Sequence, residues 1–334
     1  MDCRSYKKLL KKAYDGKATE LDLSGKNLQN PPFGLLVNIL VVDTFRKIDL
    51  SGNKLTTIPA YLTDLPQLQT LNVKGNPLID PPQEILNKGT KAVLQYLKKP
   101  LREKELIRIF NKAADTKIKV LDLSCRKIKE IPAEIGMLSN LEVLRLNNNV
   151  ISSLPREISK LNKLRHLELL DNKFTSFPLE IVHLPRLEFL SLGTNSLTKL
   201  PYEIRFMINL KRLDLTANSL KSLPPQFGDL SNLTKADFVF NSLTSLPAEI
   251  GKLKNLIEIS FDHNKIVELP QQIGHLNKLQ KLFLFANRLK SLPSQFFKLK
   301  NLIDLDLRDN KLDMSPDDFS HLKKIKDLRL KIGE

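Results

Sequence analysis

Tryptophan is absent from this chain, tyrosine occurs five times, glycine twelve times and cysteine only twice. Two thiols, Cys3 and Cys125, cannot make a disulfide framework, and their spacing matches no zinc signature. A cytoplasmic or other reducing compartment is therefore expected, with export by a signal-peptide-independent route also compatible. Long apolar runs are missing as well. The most apolar stretch, Leu35 to Val42, is interrupted by Asn38 and falls short of the roughly 18 residues that a membrane span needs. The opening MDCRSYKKLLKKAYDGK is basic, but it leads into no continuous apolar core and no small-residue cleavage site, so it does not read as a signal peptide. Scarce glycine with 41% hydrophobic residues fits a Leu-rich scaffold better than a loop-rich enzyme. The sequence also contains no H-E-x-x-H, no phosphate-binding G-x-x-x-x-G-K-[ST] and no G-x-S-x-G.

What the chain does contain is a period. Asn149, Asn172, Asn195, Asn218, Asn241, Asn264, Asn287 and Asn310 recur every 23 residues. Prolines from Pro132 to Pro316 move in register with them, as does a leucine frame L-x-x-L-x-L-x-x-N-x-L. In a copy such as LEVLRLNNNVISSLPREISKLNK, Leu144 and Leu146 alternate, so they point to one side of a short strand and supply a core. Asn suits the bend after the strand because its amide both donates and accepts, and can satisfy backbone groups of adjacent coils. Proline fixes φ and gives up an N–H on the return path, where Ile135, Leu138 and Leu141 close the core from the far side. One copy cannot bury these leucines alone, and stacked copies can.

The frame L-P-x-E-I-G-x-L-x-N-L-x-x-L-x-L-x-x-N resembles the 23-residue leucine-rich repeat of Ras-suppressor-like, plant intracellular Ras-group-related and bacterial repeat proteins. The resemblance covers most of the chain. It implies an α/β leucine-rich-repeat solenoid with a curved parallel sheet on the concave face, an irregular or short helical convex face, and partner binding.

The period fails between Asn76 and Leu121. Pro77, Pro81 and Pro82 are followed there by Val93, Leu94 and Leu97 at helical spacing, a segment that resembles the cap ending arrays in Roco-type proteins. Leu106, Ile109, Phe110 and Ala113 then form a new helical stripe, matching Tyr6, Leu9, Leu10 and Ala13 at an offset of 100 residues. Two arrays in tandem are expected: a short one over 1–98, and one of nine to ten repeats over 99–334, each opened by an amphipathic helix. A single superhelix carrying a helical insertion is the alternative. Lys26 and Arg126 stand where asparagine belongs, departures that suit opening coils with no preceding coil to bond. No second Pro-Pro cap precedes Glu334, which predicts further chain or a covering partner at that end.

Strand positions that point away from the core form columns on the long array. One runs through Glu168, Ser191, Asp214, Asp237, Ser260, Phe283 and Asp306, and a second through Leu170, Gly193, Val239, Asp262, Phe285 and Arg308. A third includes Asp171, Phe240, His263 and Asp309. Large apolar groups stand where the frame needs none, ringed by acid. Leu170, Phe189, Asp214, Asp237, Val239, Phe240, Asp262, His263, Phe283, Phe285, Asp306 and Arg308 are the expected partner-binding residues.

The formal charge of +16 sits elsewhere, on the two opening helices and scattered over return turns. Nucleic-acid or anionic-surface binding through those helices is the alternative function, but the aspartates on the strand face oppose phosphate there, so nucleic acid is not the expected partner. The five histidines are dispersed along the frame, and Asp262–His263 and His166–Glu168 are pairs without a converging third ligand. No histidine is placed beside Cys125. The reading is thus a monomeric, non-enzymatic scaffold for a protein partner in signalling or as a bacterial effector, with no cofactor and no metal. A small GTPase or its regulator is the first candidate that the resemblance implies. Substrate recognition for an enzyme whose catalytic domain lies outside this sequence is a further alternative.

Overall fold

The computed structural model describes residues 19–29, 45–313 and 315–330, so the expected first helix through Tyr6 and Leu9 lies outside the described residues. The chain divides into two compact units, Met1–Asn149 and Val150–Glu334.

In the first unit, strands β1 (Glu20–Asp22), β2 (Lys47–Asp49) and β3 (Thr70–Asn72) form a parallel three-stranded sheet with Leu21, Ile48 and Leu71 in register. The helix Thr90–Lys98 closes these coils by burying Val93 and Leu97 in their leucine core, as the spacing predicts. The helix Glu103–Asp115 buries Leu106, Ile109, Phe110 and Ala113, the whole of the predicted stripe. A new sheet then begins with β4 (Val120–Asp122) and β5 (Val143–Arg145), with Leu121 opposite Leu144.

Arg126 does more than fill an opening coil. Its Nη1 donates to Asp80 Oδ2 at 2.7 Å, and both side chains are almost wholly withdrawn from solvent. Asp80 also accepts from Tyr96 Oη at 2.7 Å and from Arg108 Nη2 at 2.8 Å. Burial, reinforced by Asp80, pushes the Tyr96 hydroxyl up to about 12, so it remains a donor to the carboxylate. A backbone bridge between Thr57 and Asp80, and Thr56 Oγ1 donating to the Val120 carbonyl at 2.8 Å, tie the same region together. Within this unit the strand series therefore restarts at β4 across a polar junction. That junction joins the coils of β1–β3 to those of β4 and β5.

In the second unit, β6 (His166–Glu168), β7 (Phe189–Ser191), β8 (Arg212–Asp214), β9 (Lys235–Asp237), β10 (Glu258–Ser260), β11 (Lys281–Phe283), β12 (Asp304–Asp306) and β13 (Asp327–Arg329) are parallel and paired in chain order. Leu190, Leu213, Ala236, Ile259, Leu282 and Leu305 lie in register, each buried. Seven of the return turns, such as Gln271–His275, are short 3-10 helices whose N-cap is the periodic proline. The core beneath holds Phe238, stacked on Phe261 with ring centroids 5.4 Å apart and edge-on to Phe227 at 5.5 Å.

The asparagines bond as their chemistry dictates. Asn264 donates to the Phe261 carbonyl of its own coil and to the Phe238 carbonyl of the preceding one, both at 2.9 Å, and accepts the Leu243 N–H at 2.9 Å. The glycine after the turn isoleucine has a reason visible only in the stacked coils: a Cβ on Gly274 would lie 2.1 Å from the Gln295 carbonyl oxygen of the next turn.

Candidate functional site

Each coil from β6 to β12 leaves its strand through a residue in the left-handed region, and this sets the geometry of the site. The residues are Asp171, Thr194, Ala217, Phe240, His263, Ala286 and Asp309, with φ between 50° and 54° except at Phe240, where it is 56°. In the first unit the equivalent bends carry Gly25, Gly52, Gly75, Cys125 and Asn148. Glycine, asparagine and aspartate tolerate this conformation, whereas a bulky side chain there costs about 1–2 kcal/mol. Phe240 is thus locally disfavoured, and it is also 55% exposed, so no core contact demands it.

Its ring lies flat on His263, with centroids 4.3 Å apart and 12° between planes. His263 meets Phe285 edge-on at 4.9 Å. Three rings from three successive strand exits therefore form one ladder, and the Phe240 and His263 N–H groups donate to the Asp262 and Phe285 carbonyls. Carboxylates stand beside it. Asp262 Oδ1 accepts the Phe285 N–H at 2.7 Å, and Asp237 Oδ1 accepts the Val239 N–H at 3.1 Å. Burial raises both carboxyls above the ordinary aspartate range, outweighing those hydrogen bonds. Asp214 accepts from the Thr216 N–H at 3.0 Å and from Ser191 Oγ at 2.7 Å. Nearby cations are engaged elsewhere, since Lys235 and Lys281 both pair with Glu258.

Towards the last coils the same kinds of group satisfy one another. Arg308 is held by Asp306 through Nη2 at 2.6 Å and Nε at 3.0 Å, and its guanidinium lies 5.3 Å from the Phe285 ring centre. Arg329 pairs with Asp304 and lies 5.3 Å over Phe283. These arginines hold the Asp306 carboxyl below its ordinary value despite its burial, and its side chain is only 4% exposed.

Of the residues expected at the site, Phe240, His263, Phe285, Asp262, Asp237 and Val239 fall on one stretch of the outer strand face, exposed or half-buried. Asp214 is half-buried one strand earlier. Phe283 and Arg308 are on the same face but engaged by the resident ion pairs, and Asp306 is buried beneath them. Leu170 and Phe189 belong to earlier coils. Leu170 extends over Gly193, where a Cβ would come within 2.9 Å of it, and Phe189 faces His166 at 5.7 Å. The first column is more covered than its alternation implies: Ser191 and Ser260 are only 5% and 7% exposed. With strands about 4.8 Å apart, larger neighbours overhang a short side chain.

Sequence reasoning passed over a second apolar area on the return side, where Leu179, Tyr202, Phe206 and Ile208 are exposed and Phe206 contacts His183 at 5.5 Å. Its signal was available. Ile208 stands where other copies carry Asn162, Ser231, Lys254 or Lys300. Among the described residues no group of three His, Cys, Asp or Glu side chains is arranged to hold a metal ion, and no helix is long and apolar enough to cross a membrane.

Comparison with known proteins agrees with this architecture. A leucine-rich repeat region family matches residues 115–194, a leucine rich repeat family matches 231–289 and 284–331, and another matches 209–230. Among solved structures, a TDR receptor is similar with a TM-score of 0.62 and 27% identity over 98% of this chain and 58% of the receptor chain. The plant peptide hormone receptor RGFR1, in complex with RGF2, is similar with a TM-score of 0.60 and 27% identity over 93% of this chain and 47% of the receptor. A leucine-rich-repeat protein of Leptospira interrogans aligns over 97% of this chain and 98% of its own, at 26% identity and a TM-score of 0.44. The chain thus spans about half the length of the two receptors it matches. Periodic leucines, a parallel sheet advancing one coil at a time, an asparagine ladder and these family matches converge on one classification: the chain is a leucine-rich-repeat protein.

Proposed function

We propose that this chain is a non-catalytic protein-interaction module, and that its partner docks on the outer strand face of the second unit over Phe240, His263 and Phe285. The observation that carries this reading is a coincidence of costs. Phe240 occupies a left-handed bend that disfavours it. Asp237 and Asp262 are held as carboxylates in surroundings that raise their pKa. All three belong to two neighbouring coils and none serves the core. Features that cost folding free energy and cluster on one surface are better explained by binding than by packing. The similarity to a receptor in complex with RGF2 agrees with a binding role for this kind of fold.

On this reading residues 1–98 are a short array and 99–334 the longer one that carries the site. A small GTPase or its regulator is the first partner class to try, in a reducing compartment. Nucleic acid is disfavoured, because Asp214, Asp237 and Asp262 would repel phosphate from the aromatic rings. The test is affinity capture from the native cell or its host with the wild-type chain and with Phe240→Asn, followed by affinity measurement on each captured protein. A partner that binds both equally tightly removes this face from the account.

A further inference from the structure

The two ends of the strand face solve the same chemical problem differently. On the last coils, aromatic rings are covered by arginines of the chain itself: Arg308 over Phe285 and Arg329 over Phe283, each anchored to an aspartate, Asp306 and Asp304. Guanidinium suits such a place because it is planar, spreads its charge over the ring and presents a fork that fits a carboxylate. Two coils earlier the aromatic pair Phe240–His263 and the carboxylates of Asp237 and Asp262 are present, yet among the described residues no arginine lies on those rings or pairs with those carboxylates, and Arg308, whose charge reaches Asp262, is held by Asp306. Among the described residues Asp214, Asp237 and Asp262 make no ion pair, and the lysines on the adjacent strands are tied to Glu258. The column that supplies Arg308 carries Thr216, Val239 and Asp262 at the preceding coils.

We propose that this stretch receives an arginine from a basic segment of the partner protein, its guanidinium laid against the Phe240–His263 rings and paired with Asp262, as Arg308 lies on Phe285 and pairs with Asp306. The proposal rests on the reading of the strand face as the docking surface, and adds the chemistry of the occupant. Charge complementarity is local. The +16 of the whole chain is carried mostly by other surfaces, and at physiological salt such charges are screened beyond about 8 Å. Lysine fits less well, because an ammonium is a compact, strongly hydrated point charge that cannot lie flat on a ring and face a carboxylate through a fork.

The experiment uses the full chain as bait for random 12-residue peptides displayed on phage. Clones are counter-selected against a Phe240→Asn/Asp262→Asn variant, so that only peptides needing this face survive. Arginine is expected in the surviving clones at several times its frequency in the unselected library. In a synthetic copy of such a peptide, Arg→Lys is expected to weaken binding about 5-fold and Arg→Ala at least 10-fold. Survivors without arginine enrichment, or with Arg→Lys neutral, overturn the arginine assignment while leaving the strand face as a docking surface. If no clone depends on the face, both readings fall. Both substitutions sit at positions that favour folding, asparagine in a left-handed bend and a neutral amide in place of a part-buried carboxylate, and equal denaturation midpoints verify that the counter-selecting protein is folded.

Discussion

Phe238 and Phe240 stand two residues apart on the same coil and should respond to substitution in opposite ways. Phe238 is fully buried and packs between Phe227 and Phe261, so Phe238→Ala removes core volume and is expected to cost about 3–5 kcal/mol. Phe240→Asn loses its stacking on His263, worth about 0.5–1.5 kcal/mol, and part of a side-chain burial worth about 1.5–3 kcal/mol when complete. It recovers most of the roughly 1–2 kcal/mol that a bulky residue incurs in a left-handed bend. These opposing contributions leave the stability of Phe240→Asn within about 1 kcal/mol of the wild type. Affinity for the partner, by contrast, should fall at least 10-fold, or about 1.4 kcal/mol, as for an aromatic anchor at the centre of an interface. Denaturant titration by circular dichroism gives the first quantity and calorimetric titration with the captured partner gives the second. If Phe240→Asn lowers stability by several kcal/mol, in the manner of Phe238→Ala, the aromatic is a packing residue. In that case the reasoning that assigns it to binding is refuted.

Asp237→Asn should raise the denaturation midpoint at neutral pH. Burial raises this carboxyl in the folded state, so its penalty is fully present above the folded pKa and is relieved as pH falls towards the unfolded value of about 3.9. The stabilisation by Asp237→Asn should therefore shrink on acidification, and a gain independent of pH would contradict the burial argument. At the junction of the first unit, Asp80→Asn should destabilise by about 3–5 kcal/mol because Arg126 loses its buried counter-charge. The double replacement Asp80→Leu/Arg126→Leu should be milder than Asp80→Asn alone, and additive losses in denaturant titrations would show that the pair is not coupled. Gly274→Ala should cost about 1–3 kcal/mol, since the added methyl meets a backbone carbonyl and not a yielding side chain. A thermal melt unchanged from wild type would disprove that contact.

The repeat and its core were legible from residue types alone. A 23-residue period brings the same frame position back at every coil, so alternating leucines must share one side and the asparagines must line up. The stripe Leu106, Ile109, Phe110 and Ala113 likewise identified a helix without tertiary information, because its spacing matches 3.6 residues per turn. The same register puts Phe240 beside His263 and Asp262 beside Phe285, so the candidate surface is legible in the sequence.

What register cannot convey is which neighbours are already satisfied. Asp306 reads in sequence as the equal of Asp237, yet two arginines bury it, one of them reaching from the next coil. Arg126 reads as a missing asparagine, and its partner Asp80 lies 46 residues earlier, in a segment where the period has failed and spacing carries no information. The left-handed bend under Phe240 is hidden for a similar reason, because a side chain that strains the backbone leaves no mark on hydrophobic periodicity. The linear order settles which residues share a column, since each coil advances the chain by one strand. Only the folded coils decide which charges and rings within that column remain open to another molecule, since that depends on rotamers and on competing partners distant in the chain.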